Sequence, residues 1–174
     1  MVKKTDVLIC LMIAVLCGQP ALAAPTECGR LRSPDGLNGI VVSVDAGGQL
    51  SYRVQRRGRT LIPDSPLGIQ CDDQDFSSGL SLHDLGDDQP SRQTYSLKTG
   101  NTLHIDRLLL RKRLTFKNKQ GESLVLDLAA GDQGVAFRYH FQDDDRPLRS
   151  VAEERTGFQL SPAATAWLQP YHAA

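Results

Sequence analysis

The chain has 174 residues, a length that favours one domain, and 20 Lys plus Arg against 20 Asp plus Glu leave no formal net charge. That balance excludes the basic footprint expected of a protein that binds nucleic acid or an anionic membrane surface. At 40% hydrophobic and 23% charged, the composition supports a folded core and excludes a disorder-like chain.

Residues 1–23 read as a secretory signal peptide. Lys3 and Lys4 form a basic start, and Val7 to Cys17 is an apolar run shorter than the ~20 residues a membrane span needs. Pro20 breaks the run, and Ala21-Leu22-Ala23 is an A-x-A signal that places cleavage between Ala23 and Ala24. An uncleaved anchor is the alternative, disfavoured because polar sequence follows quickly. Bulky Leu16 argues against a lipid anchor at Cys17. Cleavage removes Lys3, Lys4 and Asp6, leaving 18 basic against 19 acidic residues. The expected location is periplasmic or secreted, in a Gram-negative type of bacterium, with no membrane association after processing.

Cys10 and Cys17 leave with the leader, so Cys28 and Cys71 form an even pair in an oxidising compartment. A Cys28–Cys71 disulfide is expected, worth about 3–4 kcal/mol for a loop of this size. Two free buried thiols are the alternative. Two cysteines alone do not make a structural zinc site.

Downstream, Cys28 to Gly36 ends in the turn Ser33-Pro34-Asp35-Gly36. Ile40 to Asp45 alternates as a strand, Ala46-Gly47-Gly48 turns, and Leu50 to Gln55 returns as the second arm of a hairpin. Arg56 to Arg59 closes another short turn before Thr60-Leu61-Ile62. This basic tip lacks interleaved aromatics and reads as a solvated turn. Pro63 to Cys71 reads as a bend entering a short strand, and residues 72–91 as a loop rich in Asp, Ser and Gly. Thr94 to Leu97 is a short strand, and Leu103 to Phe116 holds two apolar stretches around Arg111-Lys112-Arg113.

The clearest signal is a hairpin over Leu124 to Phe141. Leu124, Leu126 and Leu128 alternate with Val125, Asp127 and Ala129. Gly131-Asp132-Gln133-Gly134 reverses the chain, its glycines open to positive φ. Val135, Phe137, Tyr139 and Phe141 then face one way, and Ala136, Arg138 and His140 the other. Asp127 is the expected cross-strand partner of Arg138. Leu148 to Phe158 carries mixed signals, and Trp167 and Tyr171 stand close to the C-terminal residue. Short strands at roughly the 8–12 residue spacing of sandwiches and barrels, without an amphipathic helix, predict an all-β fold, an antiparallel β-sandwich.

Six of these segments, in order, resemble the N-terminal domain of glycoside hydrolase family 97, a bacterial α-glucosidase and α-galactosidase family. They are Ser33 to Gly36, Gly47 to Tyr52, Ser65 to Ile69, Thr94 to Leu97, Asp132 to Tyr139, and Ala164 to Trp167 with Gln169-Pro170-Tyr171. The resemblance covers nearly all of residues 24–174, taken as one domain. It implies a galactose mutarotase-like super-sandwich that precedes a (β/α)₈ barrel carrying the catalytic carboxylates and a calcium site. It therefore implies no catalytic residue, cofactor or metal ligand within this chain, which is expected to be truncated before the barrel. The chain departs from the family pattern at Gly100-Asn101, where a Gly-Lys pair is usual, and at Ile105 to Leu109, where an Asn-x-Tyr-x-Glu-like stretch is usual.

The residues themselves agree that chemistry is not concentrated here. Glycoside hydrolysis generally needs two carboxylates ~5–9 Å apart, and nearly all of the candidate Asp and Glu of this chain fall in expected turns and loops, where solvation is the ordinary state. None matches the spaced calcium loop. His83, His104, His140 and His172 form no zinc motif, and no nucleophile elbow accompanies His83-Asp84. Trp167 and Tyr171 are the candidates for a sugar platform, although packing at an interface with a catalytic barrel or in the core is the preferred reading. The leading expectation is a non-catalytic accessory domain of an exported α-glycoside hydrolase, with weak carbohydrate binding. The alternatives are a stand-alone mutarotase- or epimerase-like enzyme and a periplasmic module for a separately encoded barrel.

Overall fold

The computed structural model describes residues 24–100, 103–141, 149–165 and 167. Its eleven strands are β1 (Thr26–Arg32), β2 (Asn38–Val44), β3 (Leu50–Arg56), β4 (Arg59–Leu67), β5 (Ile69–Cys71), β6 (Ser81–Leu85), β7 (Gln89–Ser96), β8 (His104–Lys117), β9 (Ser123–Gly131), β10 (Gly134–Phe141) and β11 (Val151–Glu154). β1 to β4 form an antiparallel meander. The larger sheet runs β10-β9-β8, and the far edge of β8 is shared by β6 and β7. β5 and β11 make a small third sheet. The expected antiparallel β-sandwich is what forms.

The two main sheets face each other across one core. β2 and β3 contribute Ile40, Val42, Leu50 and Tyr52, each at most 2% exposed. Opposite them stand Leu114 and Phe116 of β8 and Leu124, Leu126 and Leu128 of β9, each at most 1% exposed. Val135, Phe137, Tyr139 and Phe141 of β10 pack against this cluster, as their spacing predicts. Removing such side chains from water contributes about 1.5–3 kcal/mol apiece.

The hairpin β9–β10 keeps the predicted register, with Arg138 opposite Asp127 and Gly134 opposite Gly131. Its glycines serve differently from expectation: neither has positive φ. Gly131 leaves room instead, since a Cβ there would lie 2.5 Å from Leu109 Cδ2. The β3–β4 turn does use the left-handed region, at Arg57 (φ 50°) and Gly58 (φ 75°), the geometry of a tight two-residue hairpin.

Four local expectations change. Pro63 to Cys71 is not a bend, because β4 continues to Leu67 and β5 follows. β4 is an edge strand, a place in a sheet where prolines without N–H are tolerated. Residues 72–91 are not all loop, because β6 and the start of β7 lie there. Leu103 to Phe116 is not two stretches but nearly all of the single 14-residue strand β8. The Cys28–Cys71 disulfide is not formed, and both cysteines are free. Cys28 lies on β1 and donates its thiol to the Val42 carbonyl of the adjacent strand (3.3 Å), whereas Cys71 lies on β5 in another sheet. Burial pushes the Cys28 thiol up to about 11 and raises Cys71 as well, so both stay protonated at neutral pH.

Two devices tie the layers together. The buried Asn38 side chain donates to the carbonyls of Gly131 (3.0 Å) and Asp132 (2.9 Å), bridging the start of β2 to the β9–β10 turn. The Asp35 amide reinforces the bridge by donating to Asp132 Oδ1 (3.1 Å). At the opposite side a strap of residues 155–159 lies along β4 and Gly68. Arg155 N donates to Gly68 O (2.8 Å), Gly157 N to Pro66 O (3.0 Å) and Gln159 N to Ser65 Oγ (2.9 Å). Tyr52 Oη donates to Gly157 O, and Tyr139 Oη accepts from Gly68 N while bonding Thr156 Oγ1. The strap thus closes the open flank of the sandwich.

Asn38→Ala strips a donor from the buried Gly131 carbonyl and from the more open Asp132 carbonyl, and the expected loss is about 1–3 kcal/mol. Urea unfolding of wild type and variant checks this as a lower midpoint at unchanged slope. A loss under about 0.5 kcal/mol would show that the turns are held by other contacts.

Candidate functional site

Alternation that sends one set of side chains to the core sends the other outward. On β8 the outward set includes Arg107, Leu109, Arg111 and Arg113. On β9 it includes Asp127 and Ala129, and on β10 Ala136 and Arg138. The register brings these together: Arg113 and Arg138 both pair with Asp127, and Arg111 and Ala136 both pair with Ala129. The small side chains of Ala129 and Ala136 leave a depression between the arginines.

That depression is a groove of about 480 Å³ lined by Arg111, Arg113, Asp127, Ala129, Ala136 and Arg138, with Gly86, Asp87 and Gln89 as one wall. The wall is held by the Gly86 amide donating to Arg113 O (2.9 Å) and by an ion pair from Lys112 to Asp88 (2.7 Å). A second concavity of about 640 Å³ continues from it, sharing Arg111, Ala129 and Ala136 and extending to Arg107, Asp106 and Gly131. Together they make one trough along the outer face of the larger sheet.

Asp127 organises the trough. Its Oδ1 accepts from Arg113 Nε (3.0 Å), and its Oδ2 accepts from Arg138 Nε (3.1 Å) and Nη2 (3.0 Å). Burial alone would raise the carboxyl, but the hydrogen bonds and charges of the two arginines outweigh it and hold the group below the usual carboxylate range. Asp106 is likewise lowered, chiefly by the two bonds from Arg92 (2.8 and 2.6 Å). Carboxylates committed in this way are poor general acids, since catalysis calls for a carboxyl raised toward neutral pH.

Among the described residues there is no group of three or more His, Cys, Asp and Glu able to hold a metal ion. The described histidines do not converge: His83 lies on β6, His104 on β8 and His140 on β10, while His172 lies outside the described residues.

Of the sequence-predicted site residues, Trp167 is 88% exposed, and Tyr171 lies outside the described residues. Ala24 is exposed at the start of the described chain, and Ala23 lies outside it. A third concavity of about 690 Å³ lies beside the strap, lined by Val54, Ile62, Val135, Phe137, Thr156 and Phe158. Of the trough itself, sequence reasoning found only the Arg138–Asp127 pair. The missed signal was the i, i+2 spacing of Arg111 and Arg113, which places both on the face of Asp127 once the strands are set in register.

The lowered Asp127 carboxyl carries a pH prediction with a definite sign. Its stabilising contribution is complete above the unfolded value near ~3.9 and is lost as pH falls through the lower folded value. The arginine side chains are 59% and 68% exposed, so screening keeps the contribution to about 1 kcal/mol. Asp127→Asn should cost that much at pH 7 and progressively less as pH falls below the ordinary carboxylate range. Chemical denaturation across that range checks it, and an equal cost throughout would contradict it.

Comparison with known proteins bears on the family and the fold. The family described as glycosyl-hydrolase 97 N-terminal matches residues 31–174. A probable retaining alpha-galactosidase from Streptomyces bingchenggensis is 32% identical over 124 residues, 71% of this chain and 19% of its own length. A glycoside hydrolase family 97 enzyme from Pseudoalteromonas sp. strain K8, solved with panose, superposes with a TM-score of 0.66 at 23% identity, covering 77% of this chain and 20% of that one. A beta-arabinopyranosidase structure gives 0.71 at 24% identity, covering 77% and 21%. The structural likenesses establish the fold, and this chain spans about a fifth of each of these relatives. The match over residues 31–174 is decisive for the family: the chain belongs to the N-terminal domain family of glycoside hydrolase 97.

Proposed function

We propose that this chain is a non-catalytic, carbohydrate-facing N-terminal part of an exported α-glycoside hydrolase. The observation that carries the reading is the family match over residues 31–174 in a chain spanning about a fifth of its relatives. Those relatives include a probable α-galactosidase and an enzyme solved with the oligosaccharide panose. Export is supported by the basic, apolar and A-x-A pattern of residues 1–23. In this reading, hydrolysis belongs to a separate (β/α)₈ portion, and calcium belongs with that portion. This domain supplies a rigid sheet that borders the glycan and carries the apolar flank at Phe158 and Trp167 toward its partner.

The commitment of Asp127 and Asp106 to arginines supports an accessory role over a stand-alone mutarotase-like one. The test is an assay of the purified chain on p-nitrophenyl α-glucoside and α-galactoside, with calorimetric titration of maltose, melibiose and galactose. The expected outcome is hydrolysis no faster than buffer, with millimolar or weaker sugar binding. Turnover above buffer that survives repurification would overturn the accessory reading.

A further inference from the structure

The trough on the outer face of the larger sheet is rich in guanidinium and poor in aromatic surface, and both features bear on what it takes. Arg107, Arg111 and Arg113 occupy outward positions of β8, with Arg107 two steps from Arg111 and Arg111 one step from Arg113. At a rise of ~3.4 Å per residue the ladder has gaps of about 14 and 7 Å. Arg111 has no ion-pair or hydrogen-bond partner among the described residues. Among the described residues Arg107 bonds only neutral groups, Gln93 Oε1 and Tyr95 Oη, each at 3.1 Å. Arg113 commits its Nε to Asp127 and leaves its Nη groups available. Asp127 thus fixes the orientation of one guanidinium without filling its remaining donors.

The acidic groups lining the trough do not answer these donors. Asp127 is shared by Arg113 and Arg138, Asp106 is bound by Arg92, and Asp132 accepts the Asp35 amide. Asp87, on the wall beside Gly86, is the remaining lining carboxylate. Neutral sugars are ordinarily held by an aromatic ring under their C–H face, and the trough offers none. Phe137 lines it, but its ring packs inward on Tyr52 with centroids 4.9 Å apart. The Tyr95 ring sits beneath the Arg107 guanidinium at 5.8 Å. Spaced, partly preordered guanidiniums are suited to planar carboxylates, which they engage through paired N–H donors.

We propose that this trough binds the carboxylates of an acidic glycan, an oligomer of uronic acid residues, along the Arg107–Arg111–Arg113 row. The inference rests on reading the chain as a carbohydrate-facing domain and adds the class of sugar. Because the guanidiniums form a ladder, an oligomer carrying several carboxylates should bind more tightly than a single uronic acid. A glycan of this kind would anchor the domain to a charged polysaccharide while neutral linkages are cleaved elsewhere.

The experiment is a titration of the purified chain with trigalacturonate, galacturonate, neutral galactotriose and inorganic sulfate at 50 and 300 mM NaCl. Trigalacturonate should saturate, bind at least tenfold more tightly than galacturonate, and weaken severalfold at the higher salt. Arg111→Ala and Arg107→Ala should each weaken it about tenfold while leaving the thermal midpoint within a few degrees. Both side chains are free of ion pairs to the described residues, so the fold is expected to survive. Galactotriose binding as tightly as the acidic trimer, or unchanged affinity in both variants, would overturn the proposal. Sulfate matching trigalacturonate would mark a general anion patch and also overturn it. Hydrolysis of α-glycosides by the chain alone would instead defeat the accessory reading, so the two failures are distinguishable.

Discussion

The outward side chains at the centre of the larger sheet, Arg113 and Asp127 among them, are placed by neighbours that are buried. Leu114 and Phe116 on β8, and Leu124, Leu126 and Leu128 on β9, are driven into contact with Ile40, Val42, Leu50 and Tyr52 by loss of apolar surface to water. Strand side chains alternate with a period of two, so this burial also decides what faces out. A slip of one residue in β8 or β9 would carry the leucines to solvent and bring Arg113 or Asp127 inside. The free-energy cost of that exchange fixes the register, and the register assembles Arg111, Arg113, Asp127 and Arg138 on one face. The site is a by-product of core burial, made useful by what alternates with it.

The second constraint is closure. A sandwich whose sheets meet only through side chains is open at its flanks, where unpaired strand edges meet water. Here Asn38 fastens one end by satisfying two carbonyls of the β9–β10 turn, and the strap of residues 155–159 satisfies Ser65, Pro66 and Gly68 at the other. The β2–β3 turn is locked in a third way. Gly48 has φ 72°, its carbonyl accepts the Leu80 amide (3.0 Å), and a Cβ there would lie 2.4 Å from that nitrogen. Backbone is packed on backbone so closely that no side chain fits between. These ties hold the larger sheet rigid, so a ligand on its outer face would meet preformed geometry and pay little ordering entropy.

Much of this was legible in the residues. The β9–β10 hairpin announces itself because one face is leucine and aromatic and the other polar, and the same alternation yielded the Arg138–Asp127 pair. β6 was illegible for the opposite reason: all five of its residues are exposed, so no apolar rhythm marks it. β4 was hidden by Pro63 and Pro66, which read as breakers until the strand is known to be an edge. The disulfide was inferred from an even count, but a count carries no geometry, and Cys28 is turned toward Val42 within its own sheet. The trough needed the register of three strands at once, which no single stretch contains. Trp167 and Tyr171 drew attention as aromatics near the C-terminal residue, yet the grouped polar chemistry lies on β8 to β10.

The central claim is that core burial, with the ties at its flanks, holds the outer-face residues in register. Amide hydrogen exchange of the purified chain tests it most directly. The account predicts slowest exchange in one cooperative set comprising residues 40–42, 114–116 and 124–128, with the amides of the β7 edge exchanging far faster. Uniformly fast exchange across these strands, with far-UV strand signal retained, would indicate a loosely packed state and contradict the claim.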